Sequence, residues 1–416
     1  RVAIVGVSKP TWLSVECKMK SRDRQLEDEG FYRKCLPCFV GIPRSFFIGC
    51  LLQWGVIAGP FFPLLGAEPR PRLNQIQVIG THNSYHLEPS TAVVQAITTV
   101  YPGAKTELAY RHRPLTEQFD QLGIRQVELD LFADPHGGHF AWPLGARLDG
   151  LSRREFDPQG IWQRPGYKIM HVQDVDYRTT VPTFRAALRE INRWSLSHPR
   201  HVPIMVLLEL KERAIVGLTR PVALTRERLQ ELEAEIRDVL ALKRILRPDD
   251  VRGTATCLRD AVTESGWPPL DEVAGRVLFA LDNEGQIRDR YLELHPGLRN
   301  GLLFASVPES HPAAAWMKVN DPVNAQQRIQ RLVKAGFIVR TRADADTQQA
   351  RRSDVRRRDL ALSSGAQFVS TDYPESDPRL SDYRVQLPGG IVARANPVSG
   401  ARLRTGEWEV GVRSSP

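Results

Sequence analysis

The sequence predicts an α/β protein, a single (β/α)8 TIM-type barrel, regular or distorted, filling one domain from residue 68 to 397. Three observations predict it. Eight short β-rich runs alternate with stretches of helical period from Gln75 onward, the pattern of repeated β/α units. They extend over about 300 residues, the size of one such barrel. Polar residues also gather at one end of successive runs, where a barrel keeps its open mouth. The competing architecture is an open doubly wound sheet. Its glycine-rich nucleotide turn is missing, because the first run passes directly into Thr81-His82-Asn83-Ser84.

The eight runs are residues 76–81, 125–131, 167–171, 203–210, 276–281, 301–305, 337–341 and 366–370. Between the third and fourth, Pro182 suits a first helical turn, and Phe184, Leu188, Ile191 and Trp194 share one face. After the fourth, Leu229, Leu232, Ile236, Val239 and Leu240 make a second apolar stripe. Before the seventh, Ile329, Leu332 and Val333 make a third that stops at Gly336, a natural helix end. The least regular connection, residues 133–166, carries several prolines with Phe140, Trp142 and Trp162. Long irregular loops are often functional, and these aromatics either insert at a lipid interface or, more simply, pack. Residues 398–416 read as a C-terminal tail.

With 416 residues, 42% hydrophobic and 25% charged, the chain is excluded from the disordered, collagen-like and disulfide-stapled classes. The net charge of +9 fits nucleic acid, an anionic membrane surface or a phosphate-bearing substrate. Residues 1–67 hold nine Lys and Arg against five Asp and Glu, so +4 of the +9 belongs to this leader. The remaining basic residues are dispersed and form no recognition motif, which argues against nucleic acid. The run from Arg351 to Arg358 reads as the solvated face of a helix.

Ser45–Leu65 is apolar, preceded by Arg44 and followed by Gly66-Ala67. Residues 44–67 therefore read as a secretory signal cleaved after Ala67, making the mature protein secreted or periplasmic. A membrane anchor is the alternative, weakened by Gln53, Gly55, Gly59, Pro60 and Pro63. Residues 1–43 lack an initiating Met and read as an over-extended start. Cys35-Leu-Pro-Cys38 has redox spacing without βαβ context. Of Cys17, Cys35, Cys38, Cys50 and Cys257, only Cys257 would survive cleavage, leaving no intramolecular disulfide.

The chemistry concentrates at strand ends. His82 and Asn83 follow the first run; Glu128 and Asp130 end the second; His171 ends the third; Glu209 and Lys211 end the fourth. Alternate strand residues share a face, so Glu128 and Asp130 point the same way. Two carboxylates on one face repel unless a cation or a shared proton compensates. Three carboxylates and an amide suit a hard cation, Ca2+ before Mg2+, whereas zinc would call for more His or Cys. Two histidines beside a cation and a lysine suit phosphoryl transfer. The bland readings are ion pairs of Glu128 and Asp130 with Arg111, Arg113 or Arg125, and of Glu209 with Lys211.

With these residues on the page, the sequence resembles the calcium-dependent, secreted bacterial branch of the phosphatidylinositol-specific phospholipase C superfamily, through THNSYH (81–86), Glu128-x-Asp130, His171, Glu209, FVSTDYP (368–374) and LPGG (387–390). The resemblance covers roughly residues 74–397. It implies Ca2+ held by Asn83, Glu128, Asp130 and Glu209, with His82 and His171 catalytic and Glu128 a second candidate base. It also implies cleavage of the glycerol–phosphate bond through a cyclic inositol phosphate, with Lys211 on a substrate phosphate. Arg340 and Arg342 leave the seventh run on one face and either bind phosphate or are solvated charges. Asp372 either orients His82 or caps the Thr371–Pro374 turn. Metal-independent relatives carry Asp-x-Arg on the second strand. Asp130 stands where that Arg would be, so a cation is required here. The partners implied are a phospholipid or glycerophosphodiester substrate and transient membrane-surface contact, acting as a monomer. Two alternatives stand beside this: a glycerophosphodiester phosphodiesterase, whose usual His-Arg-Gly is replaced by His82-Asn83-Ser84, and a non-catalytic phosphoinositide-binding barrel.

Overall fold

A computed structural model describes residues 70–399. The expected leader, with the segment read as a signal and four of the cysteines, lies outside the described residues, as does the chain beyond Ser399. Ten strands form one sheet: β1 (Ile76–Thr81), β2 (Gln126–Phe132), β3 (Lys168–Ile169), β4 (Ile204–Leu210), β5 (Val277–Leu281), β6 (Leu303–Ala305), β7 (Trp316–Lys318), β8 (Ile338–Arg342), β9 (Phe368–Thr371) and β10 (Ala393–Ala395). Eight are neighbours in the order β6-β5-β4-β2-β1-β9-β8-β7, every pairing along that path being parallel. The ends of this path, β6 and β7, meet through the single parallel bridge Ser306–Trp316. The result is a nearly closed parallel barrel. β1, β2, β5 and β9 are buried at every residue, as parallel strands covered on both faces must be.

Two departures from the expected strand set have physical causes. The run 167–171 is not a barrel stave. β3 has two residues and pairs antiparallel with the end of β2, Leu131 with Ile169 and Phe132 with Lys168. It therefore forms a flap that returns the long loop to the barrel rim. The missing stave is β7, three residues long and preceded by Ala313-Ala314-Ala315, too short to show an alternating period. β10 pairs antiparallel with Ile76–Val78 of β1, below the point where Gly80 meets Gln126 of β2. It fills the wall where β1 and β2 diverge. They come together at Gly80, where an added Cβ would run into the Gln126 side chain.

The three predicted helical stripes are present. Phe184–Ser197, capped by Thr183, buries Phe184, Leu188, Ile191 and Trp194. Arg226–Val239 buries Leu229, Leu232 and Ile236. Pro322–Lys334 starts on Asp321, which accepts from Val323 and Asn324 N–H, and ends before Gly336 at φ +98°, a conformation glycine adopts freely. The long β2–β3 connection folds its aromatics inward, with Phe140 and Trp162 packed against Phe132 and Met170. Trp142 lies beneath the guanidinium groups of Arg147 and Arg153. These aromatics pack. The arginine run divides into two short helices, Gln348–Arg352 and Arg356–Ser363, separated by Ser353 in a left-handed conformation. Among the described residues, no helix is long and apolar enough to cross a membrane.

Ile191 is wholly buried between its helix and the barrel. Ile191→Ala is expected to destabilise the fold by about 2–5 kcal/mol. A denaturant midpoint equal to wild type would contradict this packing.

Candidate active site

The parallel staves run in one direction, so their C-terminal ends collect at one mouth. β1 delivers His82 and Asn83 there. The turn is pinned to the next strand by Ser84, whose N–H donates to Glu128 C=O at 3.0 Å and whose Oγ accepts from Glu128 N–H at 2.8 Å. Asn83 has φ +45°, a left-handed conformation that Asn tolerates better than most residues. Its Nδ2 donates to Tyr110 OH at 2.9 Å, and its buried Oδ1 has no hydrogen-bond partner.

Register sets the acidic cluster. Asp130 of β2 stands opposite Glu209 of β4, while Glu128 lies two residues earlier on the same face of β2. Carboxylate oxygens of all three lie within 4.8 Å of one another. Two cations hold them in this state. Arg340 Nη2 donates to Glu128 Oε2 at 2.5 Å and Nη1 to Asn320 Oδ1 at 2.6 Å. Lys211 Nζ is 2.9 Å from Asp130 Oδ2 and 2.8 Å from Glu209 Oε1. Arg113, one of the expected partners of Glu128 and Asp130, pairs with Glu375. Burial still dominates: it raises Glu128 to about 7 against the pull of Arg340, and raises Asp130 against the pull of Lys211. Asp130 Oδ1 is buried without a hydrogen bond. Orphaned oxygens on Asn83 and Asp130, beside carboxylates whose charge is disfavoured, are what a hard divalent cation would satisfy. The donor set fits calcium.

The two predicted histidines each meet a carboxylate. His82 Nδ1 is 2.7 Å from Asp372 Oδ1, and Arg342 Nη2 donates to Asp372 Oδ2 at 3.2 Å. Burial opposes ionisation of Asp372, but His82 and Arg342 hold it below the usual carboxylate range. Asp372 therefore accepts, Nδ1 carries the proton, and Nε2 faces Glu128 Oε1 at 3.8 Å. Burial, then Arg342, lowers His82 to about 3, so its ring is neutral at neutral pH. His171 follows the antiparallel β3 and still reaches the rim, where its Nδ1 lies 2.7 Å from Asp176 Oδ2. Asp176 is fully buried yet held below its ordinary range, because His86 and His171 outweigh the burial.

Lys211, Arg340 and Arg342, expected to meet phosphate, and Asp372, expected beside His82 or in the turn, all have protein partners in this state. Lys211 meets Asp130 and Glu209, Arg340 meets Glu128, Arg342 meets Asp372, and Asp372 meets His82. Sequence reasoning missed several neighbours. Asp176 lies five residues after His171, and His86 ends THNSYH; both were legible as spacing but were not assigned. Asp344, which accepts from Asp372 N–H at 2.8 Å, had no distinguishing signal. Lys318, 3.0 Å from Asp282 Oδ2, sits on the unrecognised β7.

The family description "Phosphoinositide phospholipase C, Ca2+-dependent" matches residues 71–397. The chain belongs to that family. Solved structures similar to this phospholipase C family member include a calcium-dependent phosphoinositol-specific phospholipase C from Pseudomonas sp. It is 15% identical, with 78% of this chain and 95% of that one covered and a TM-score of 0.46. A Ca2+-dependent phosphatidylinositol-specific phospholipase C from Streptomyces antibioticus is 16% identical, covering 73% and 95%, with a TM-score of 0.46. A glycerophosphoryl diester phosphodiesterase from Parabacteroides distasonis is 12% identical, covering 72% and 84%, with a TM-score of 0.31. No curated protein sequence matches the chain.

A calcium ligand must give up its proton, and burial raises Glu128 to about 7. Calcium affinity is therefore expected to be weaker at about pH 6 and to strengthen as pH rises to about 8. Glu128→Gln should weaken binding roughly tenfold or more and flatten this dependence. Calorimetric titration with CaCl2 checks it, and equal affinities at both pH values would count against Glu128 as a ligand.

Proposed function

We propose that the protein is a Ca2+-dependent phosphodiesterase that cleaves phosphatidylinositol between glycerol and phosphate and releases a cyclic inositol phosphate first. The observation that carries this is the pair of His–Asp couples, His82–Asp372 and His171–Asp176, at the same mouth as the Glu128–Asp130–Glu209 cluster. Asn83, Glu128, Asp130 and Glu209 would hold the calcium ion, which when bound offsets phosphoryl charge and makes the inositol 2-hydroxyl more acidic.

The remaining work belongs to side chains. His82 is neutral, its Nδ1–H donating to Asp372, so Nε2 can take the proton of the 2-hydroxyl as that oxygen attacks phosphorus. The new imidazolium is then stabilised by Asp372 and by the anionic phosphate. His171, oriented through Nδ1 by Asp176, gives a proton to the departing diacylglycerol oxygen as its bond to phosphorus breaks. Glu128 is the alternative base. Lys211 and Arg340, whose carboxylate partners would be the calcium ligands, and Arg342 beside Asp372 would supply positive charge around the phosphate.

Product analysis with phosphatidylinositol and with glycerophosphodiesters, in Ca2+, Mg2+ or chelator, tests the reading. A cyclic inositol phosphate formed in Ca2+ and absent in chelator is the expected outcome. Glycerol phosphate released from a glycerophosphodiester, with no cyclic product from phosphatidylinositol, would favour the glycerophosphodiesterase alternative, and undiminished activity in chelator would remove the metal. His82→Ala and His171→Ala are each expected to lower kcat by about 100-fold or more, with unfolding midpoints retained. Wild-type turnover in either variant would refute its assigned role.

A further inference from the structure

His86 belongs to neither couple and is fully buried. Both ring nitrogens face groups that accept. Nδ1 is 3.0 Å from the backbone carbonyl of Tyr110, and Nε2 is 3.1 and 3.0 Å from the two carboxylate oxygens of Asp176. Asp176 also accepts from His171 Nδ1 at 2.7 Å. A neutral imidazole has one N–H and would leave lone pair against lone pair at one of its two contacts; a doubly protonated ring satisfies both. The Tyr110 ring, stacked at 4.2 Å, offers a π-face to that charge.

We infer that His86 is a permanently protonated positioning residue. Its imidazolium grips both oxygens of Asp176 and neutralises them, so that Asp176 orients His171 without placing a full negative charge beside it. This rests on the reading of His171 as proton donor. A bare carboxylate would make the donor's proton harder to release, whereas a neutralised one keeps the ring in place and leaves the acid strong. The same device recurs at the other couple, where Arg342 takes the second oxygen of Asp372 while the first faces His82. His86, His171 and Asp176 are also close enough to share a metal ion, but a doubly protonated His86 has no lone pair to give. Tyr85, Tyr110, His112 and Asp372 are the other titratable groups acting on Asp176 and His86, and all remain in the variant below.

Nitrogen-15 NMR of the imidazole rings in the full chain, without substrate, reads His86 directly. Protons on both nitrogens across about pH 6–8 are expected; one unprotonated nitrogen overturns the inference. In kinetics, His86→Gln keeps an N–H donor for Asp176 and removes the charge. The expected result is a kcat lower by about 10- to 100-fold with KM within about twofold. The alkaline limb of the kcat profile should move to higher pH, because the donor holds its proton longer beside an unneutralised carboxylate. A folded variant whose limb stays at the wild-type position overturns the coupling, and so does one whose loss lies wholly in KM. If the variant fails to fold, the NMR result decides. Absence of product from the wild-type protein would count against the phosphodiesterase reading alone, since the NMR arm needs no turnover.

Discussion

The constraint on which the mouth depends is the burial of Glu128 and Asp130 on one face of β2. A strand enclosed on both sides by a barrel has no solvent to hydrate two carboxylates, and such charges are tolerated only when neighbours compensate. Arg340 reaches across from β8 and Lys211 rises from the end of β4. These pairings fix the staves' end residues as well as the charge. Breaking one partner of a buried pair leaves an uncompensated ion, at a cost of about 3–5 kcal/mol. The apolar staves make the barrel stable enough to carry this strain in its electrostatics.

Much of the barrel was legible because its staves are strongly apolar and its helices keep clear stripes; Ile191, Leu232 and Leu332 are each buried as their spacing required. What was illegible was short or out of register with the repeat. β7 has three residues, and the contiguous alanines before it carry no period. The run 167–171 has the composition of a stave, but composition does not distinguish a parallel neighbour from an antiparallel flap. His171 lies at the mouth as the sequence predicts, since β3 pairs with the far end of β2 and His171 follows it by two residues at the same rim.

The site residues divide in the same way. Those whose chemistry announces itself locally, His82-Asn83, Glu128-x-Asp130 and Glu209, were readable because polar residues at the ends of apolar strands are expensive and therefore informative. Their partners were not. Arg340 and Glu128 are separated by 212 positions, and nothing in a single sequence says that β8 reaches β2 across the mouth. Asp372 was read as either the partner of His82 or a turn cap. In the structure it makes the contact with His82, while Thr371 Oγ accepts from Tyr373 N–H within that turn.

Two His–Asp couples with the same composition need not have the same character. His82 lies near Arg340 and Arg342, and burial and both cations disfavour a proton on its ring, which is therefore neutral in the free protein. In the proposed reaction an approaching phosphate anion would weaken that disfavour where the proton is to arrive, coupling proton acceptance to substrate binding. The carboxylate that His171 meets, Asp176, is shared with His86. Environments that separate two like groups are how one fold assigns opposite proton-transfer roles. Here the separation comes from which cation occupies the second oxygen of each aspartate and how near that cation stands to the histidine.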